Sequence, residues 1–262
     1  MEEVGDGLPL IVLHGGPGLD HRGFRPYLDP LGDEFRVLYV DERGQGSSER
    51  VDPETLSLDV FARDVDLLAE ALGLGRFALL GHSFGAIITT KHALEIGTAA
   101  AYVISGGGDS TAALGADVET SLEAMGEAGV PIKASWEQEK TVATEDELRE
   151  LMRVQMPFHF AGDPPPGFGE DTIGTPDVLR HFANIGYGDF DYVPDLRRIV
   201  KPTLVIVGEH DRVTTARAAR VLHEGIAGSR LVVLPGVGHM SFVETPEPYI
   251  EAVTTFLREA VG

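Results

Sequence analysis

The chain has 262 residues, with 42 acidic against 21 basic side chains, a formal charge of −21, and no cysteine. Such acidity argues against binding nucleic acid or an anionic membrane, which need a basic face, and the missing cysteines exclude disulfides, thiolate catalysis and cysteine-ligated zinc. No apolar run nears the roughly 20 residues of a membrane span, and the acidic start Met1-Glu2-Glu3 is unlike a signal peptide, so a cytoplasmic protein is expected.

The first third of the chain alternates strand and helix signals, as a parallel sheet requires. Leu8 to Leu13 is a short apolar run ending at Gly15-Gly16, and Arg36 to Val40 is a second, ending at Asp41-Glu42-Arg43-Gly44. A helix should start near Ser57, whose hydroxyl suits an N-cap. It places Phe61, Val65, Leu68 and Leu72 on one face and stops at Gly73. Phe77 to Leu80 and Ala101 to Ser105 give the third and fourth strands. Residues 109 to 193 then break the rhythm, with a helical stretch over Glu145 to Val154, the stiff loop Pro164-Pro165-Pro166 and no β-rich run. The alternation resumes with strands at Thr203–Val207 and Leu231–Leu234 around a helix at Ala216–Ile226. A last helix opens at Thr245-Pro246, with Thr245 as N-cap. The expected fold class is α/β: a mostly parallel, doubly wound sheet in two core segments, 1–108 and 194–262. A mainly helical cap, 109–193, is inserted between them.

Gly81-His82-Ser83-Phe84-Gly85 follows the third strand and opens a helix. This is the G-x-S-x-G turn in the context that exposes a serine hydroxyl at the tip of a sheet, and it makes Ser83 the candidate nucleophile. A serine needs a base and a group to orient that base. Asp211 and His239 each lie just past a later strand, in the chain order Ser, Asp, His. The backbone N–H groups of Phe84 and Gly16 are the candidate oxyanion donors, Gly16 coming from His14-Gly15-Gly16-Pro17-Gly18. His210 competes with His239 for the base role, although it adjoins Asp211. His82 is held by the turn, and His92, His159, His181 and His223 sit in no motif and are expected to be packed or solvated. No spacing suits a metal site, so no metal and no cofactor is expected.

Acidity is concentrated in the insertion: between Asp109 and Asp195 there are 18 acidic and 5 basic residues. Such a segment is either a solvated surface or a negative field that draws a cationic substrate group.

His14-Gly15-Gly16-Pro17-Gly18, Asp41-Glu42-Arg43-Gly44, the Ser83 turn, Gly208-Glu209-His210-Asp211 and Gly238-His239 together resemble the proline iminopeptidase family of α/β hydrolases. The resemblance covers both core segments. It implies a cytoplasmic serine aminopeptidase that releases an N-terminal residue, often proline, from short peptides, with cap glutamates binding the free amine. Trp136-Glu137 resembles one such site, which makes Glu137, with Trp136, the candidate amine-binding residue. The family's usual Asp-Gln-Arg-Gly is Asp41-Glu42-Arg43-Gly44 here, and Phe84 and Ala86 stand where Trp and Gly are common. Relatives also carry an antiparallel strand pair before the first buried strand; only about seven residues precede it here, so that pair is expected to be missing or to lie upstream. An esterase or lactonase with the same three residues, and a receptor that keeps the fold without catalysis, stay open as alternatives.

Overall fold

Each apolar run alternates its side chains between two faces, and both faces are covered, which is why the strands read as continuously hydrophobic. The computed structural model describes residues 1–262. Strands β1 (Glu2–Val4), β2 (Leu8–Leu13), β3 (Phe35–Val40), β4 (Ala78–His82), β5 (Ala101–Ser105), β6 (Thr203–Gly208) and β7 (Arg230–Leu234) form one sheet. Their order is β1-β3-β2-β4-β5-β6-β7, and every pairing is parallel except β1 with β3. Ile11, Leu38, Leu79, Ile104 and Val205 face helices α1 (Leu58–Ala71), α2 (Phe84–Glu95) and α7 (Ala216–Gly225). Leu10, Val37, Leu80, Val103 and Ile206 face the opposite layer, where the short helix α8 (Ser241–Glu244) contributes Phe242 and helix α9 (Pro246–Val261) contributes Tyr249, Val253 and Leu257.

The six strands read from hydrophobic pattern stand within two residues of their expected limits. Strand β1 does not follow from the pattern, because Glu2-Glu3-Val4 has no apolar face to read. It is an edge strand whose carboxylates pair with Arg25 and Arg36, and charge at an edge blocks pairing with other chains. One antiparallel strand is therefore present ahead of β2, where none was expected. Ser57 caps α1 by accepting from the Val60 N–H, as expected. Thr245 precedes α9 as predicted, but its side chain makes no capping bond.

Between β5 and β6 lie four helices and no strand: α3 (Thr111–Met125), α4 (Gly129–Glu139), α5 (Glu145–His159) and α6 (Pro176–Asn184). Helix α5 starts in a capping box of Thr144 and Glu147. It continues to His159 rather than stopping at Val154, through Pro157 in its last turn. A proline there forfeits one i to i−4 hydrogen bond, with only two helical residues following it. The overrun matters, because it carries His159 to the loop that follows β7.

Candidate active site

Ser83 adopts φ 57° and ψ −117°, a conformation that side chains rarely take. Such strain costs about 1–3 kcal/mol and persists only where the surroundings impose it. The flanking glycines show how they do so. A Cβ on Gly81 would lie 2.1 Å from the Gly85 carbonyl oxygen, and one on Gly85 would lie 2.4 Å from that of Leu13. The Ser83 N–H donates to the Ser105 carbonyl at 2.9 Å, which ties the turn to β5. Ser83 is thus fixed at the end of β4, half-buried, at the floor of a cavity of about 520 Å³.

The Gly15-Gly16 loop forms one wall. A Cβ on Gly15 would come within 3.2 Å of the Ser83 Cβ, so the loop backbone lies directly against the serine. The His14 ring Nδ1 donates to the Gly15 carbonyl at 2.7 Å, and Nε2 pairs with the buried Glu42 carboxylate. Burial pushes the His14 pKa down, but the Glu42 charge together with the hydrogen bonds to Glu42 and Gly15 leaves it raised. The Asp41 carboxylate anchors the neighbouring loop by accepting from the N–H groups of His21 and Ser47.

Asp211 and His239 meet at the ends of β6 and β7. His239 Nδ1 lies 2.8 Å from Asp211 Oδ2, with both side chains almost wholly buried. A carboxylate only accepts, so Nδ1 carries the proton and Nε2 is left as the acceptor. Asp211 is itself held by the N–H groups of Val213 and Thr214 at 2.8 and 2.9 Å, and by the Thr214 hydroxyl at 3.0 Å. Thr214 has no motif around it in the sequence, and only the fold reveals its part. His239 lines the same cavity as Ser83, Gly16 and Phe84. His210 is exposed and absent from that lining, so its side chain is turned away from the site.

Two other histidines surround His239. The His82 ring is 4.7 Å from it and the His159 ring 5.6 Å, centroid to centroid. His159, expected to be a packed or solvated side chain rather than a catalyst, is brought to the cavity by the end of α5. Burial, reinforced by the His239 charge, lowers the His159 pKa to about 4 and that of His82 well below its ordinary value.

The helical segment supplies part of the cavity lining. Trp136 lines it and packs edge-on against Phe158 at 4.8 Å. Glu137 reaches the cavity rim, but its side chain is 70% exposed and ion-paired with Lys140 at 2.8 Å. It is not the desolvated carboxylate that amine binding was expected to require. Glu139, two residues on, has that character: it is 4% exposed and also lines the cavity. Gln155 Nε2 donates to its Oε1 at 2.7 Å, and the Tyr187 hydroxyl donates to its Oε2. Burial raises the Glu139 pKa against those two hydrogen bonds, and no basic side chain pairs with it. The i, i+2 spacing of Glu137 and Glu139 on α4 puts them on different faces, a distinction that only the neighbours of α4 decide.

The model of the alpha/beta hydrolase family matches residues 10–252, and the chain belongs to that family. It is similar to a proline iminopeptidase of Saccharolobus solfataricus, 27% identical over 95% of this chain and 84% of that protein. Among solved structures it resembles a proline iminopeptidase of Mycobacterium smegmatis, at TM-score 0.76 and 22% identity over 97% of this chain and 90% of that one. An esterase from Exiguobacterium antarcticum superposes equally well, at TM-score 0.76 and 23% identity over 98% and 94% of the two chains. At these identities the two structures share the fold.

Proposed function

We propose that the protein is a serine hydrolase in which Ser83, His239 and Asp211 act as a triad. In this scheme His239 Nε2 takes the Ser83 hydroxyl proton as Oγ attacks a carbonyl carbon. Asp211 holds the imidazole tautomer and stabilises the imidazolium. The N–H groups of Gly16 and Phe84 receive the oxyanion, and losing one such donor typically costs about 2.7–4 kcal/mol of transition-state stabilisation. His239 then gives its proton to the leaving group, and water releases the acyl group from Ser83.

We further propose that the substrate carries a free amino terminus, as in an aminopeptidase of the proline iminopeptidase kind, with residues 109–193 as the cap. One observation carries this: Glu139 is a buried carboxylate, held by two donors, facing the cavity of Ser83 without a cation. An ammonium would complete it, and leaving a buried charge unpaired costs on the order of 3–5 kcal/mol, or hundreds-fold in discrimination. Trp136 would flank the bound residue, and Glu137 would act only at the rim. The test compares prolyl-arylamide with its N-acetyl form, with Ser83→Ala as control. A preference of a hundredfold or so for the free amine supports the proposal; equal rates overturn it.

The raised pKa of Glu139 favours one alternative. A carboxyl that takes a proton instead of an ammonium leaves an apolar cavity suited to neutral esters. Faster turnover of aryl esters than of any free aminoacyl-arylamide would select it.

A further inference from the structure

We propose that His159 holds the water that hydrolyses the acyl-enzyme, by accepting a hydrogen bond from the O–H that His239 does not take. This rests on the Ser83–His239 chemistry proposed above and adds a residue to it.

The geometry gives His159 four relevant properties. Its Nδ1 lies 3.0 Å from the Gln155 carbonyl oxygen, which only accepts, so Nδ1 carries the proton and Nε2 is a free acceptor. Nε2 has no protein partner, and the half-buried ring lines the cavity. The ring centroids stand 5.6 Å apart, within the range at which one water can bond a nitrogen of each ring. Finally, the ring's place relative to His239 is fixed by backbone. The His159 carbonyl accepts from the N–H groups of His239 and Met240, at 2.8 and 3.2 Å. Glu244 reinforces the junction by accepting from Gly238 and Ala161, and Arg212 by donating to the Phe160 carbonyl.

A hydrolytic water has two O–H bonds to place. One proton passes to His239 Nε2 as the oxygen attacks the acyl carbon. The tetrahedral intermediate then collapses, the Ser83–acyl bond breaks, and Oγ recovers a proton from the imidazolium. The second proton stays on the product acid, and until then its O–H needs an acceptor. The low pKa of His159 keeps Nε2 unprotonated beside an imidazolium and therefore able to accept. His82 is nearer to His239 but sealed: its Nε2 is fully buried, and its ring packs edge-on against Phe24 and Phe242.

Acylation needs no such acceptor, so the two half-reactions separate the roles. The experiment follows an activated aryl ester by rapid mixing, with mass spectrometry of the acid-quenched protein, for the parent, His159→Phe and His159→Gln. In His159→Phe the burst of aryl alcohol should keep its rate. Steady-state turnover should fall about tenfold to a hundredfold, the scale of one lost buried hydrogen-bond partner. Acyl–Ser83 should accumulate, and His159→Gln, which keeps a carbonyl acceptor, should recover much of the turnover. A burst and steady state that fall together, or that both persist, overturn the proposal, as does His159→Gln behaving like His159→Phe. An acyl adduct in the parent that does not build up in His159→Phe overturns this proposal alone. No adduct in any of the three proteins overturns the acyl-serine chemistry with it.

Discussion

Ser83, Asp211 and His239 stand at strand ends, whereas Glu139, Gln155, Tyr187 and His159 are presented by the segment between β5 and β6. The two regions are held by different means. Around Asp211 and Ser83 most partners are backbone amides and carbonyls, which any sequence supplies once the chain is routed correctly. Around Glu139 the partners are side chains on two other segments, Gln155 on α5 and Tyr187 beyond α6. Backbone-held chemistry tolerates change in its neighbours. Side-chain-held recognition can be remade by a few substitutions, which suits a family in which one fold serves several substrates.

The largest effects should come from the strand ends. Ser83→Ala and His239→Ala should each lower turnover by about a thousandfold or more without unfolding the protein, because the residues of the proposed triad would act as a unit. Asp211→Asn should cost about as much, since the amide favours the wrong imidazole tautomer. Steady-state kinetics with circular dichroism of each variant check this, and a variant with near-parental turnover removes its residue from the chemistry.

Substitution in the helical region should cost less and selectively. Glu139→Gln should lower kcat/KM for free aminoacyl substrates about a hundredfold, with Glu137→Gln within a few-fold of the parent. The reverse ranking would restore the rim carboxylate as the amine site.

A smaller effect should mark the junction of the two regions. Glu244→Ala removes the acceptor of two amides, so urea denaturation should show a loss of about 2 kcal/mol or more. Acid should loosen the same place. His159 and His82 are held neutral in the fold, so between pH 6.5 and about 4 the unfolded chain binds more protons than the folded one. Stability is therefore full above pH 6.5 and falls with pH across that window, each histidine adding at most about 1.4 kcal/mol per unit. His159→Gln should flatten that slope, and an unchanged slope would show that His159 is not held neutral. The smallest effect should be that of His210→Ala, whose exposed side chain leaves turnover near parental.

These regions were unequally legible in the sequence. The sheet could be read because burial on both faces writes each strand as an apolar run, and the Ser83 turn because only glycine fits beside it. Asp211 and His239 could be read from their position after strands. β1 could not, since its charged residues carry no hydrophobic alternation, and neither could Thr214, whose hydroxyl acts through contacts set by the fold. In the helical segment, Glu137 and Glu139 differ only in which side of α4 meets α5. His159 was hidden for another reason: a proline two residues earlier argues locally for a helix end, and tertiary bonds from Arg212, His239 and Glu244 override it.

The division of labour between strand ends and helices is tested most directly by one comparison on Glu139→Gln. The rate of Ser83 labelling by a small neutral fluorophosphonate is measured alongside kcat/KM for prolyl-arylamide. Separate chemistry and recognition predict labelling within about twofold of the parent, while the arylamide activity falls about a hundredfold. Loss of both in proportion would contradict it, by making Glu139 part of the machinery that activates the serine.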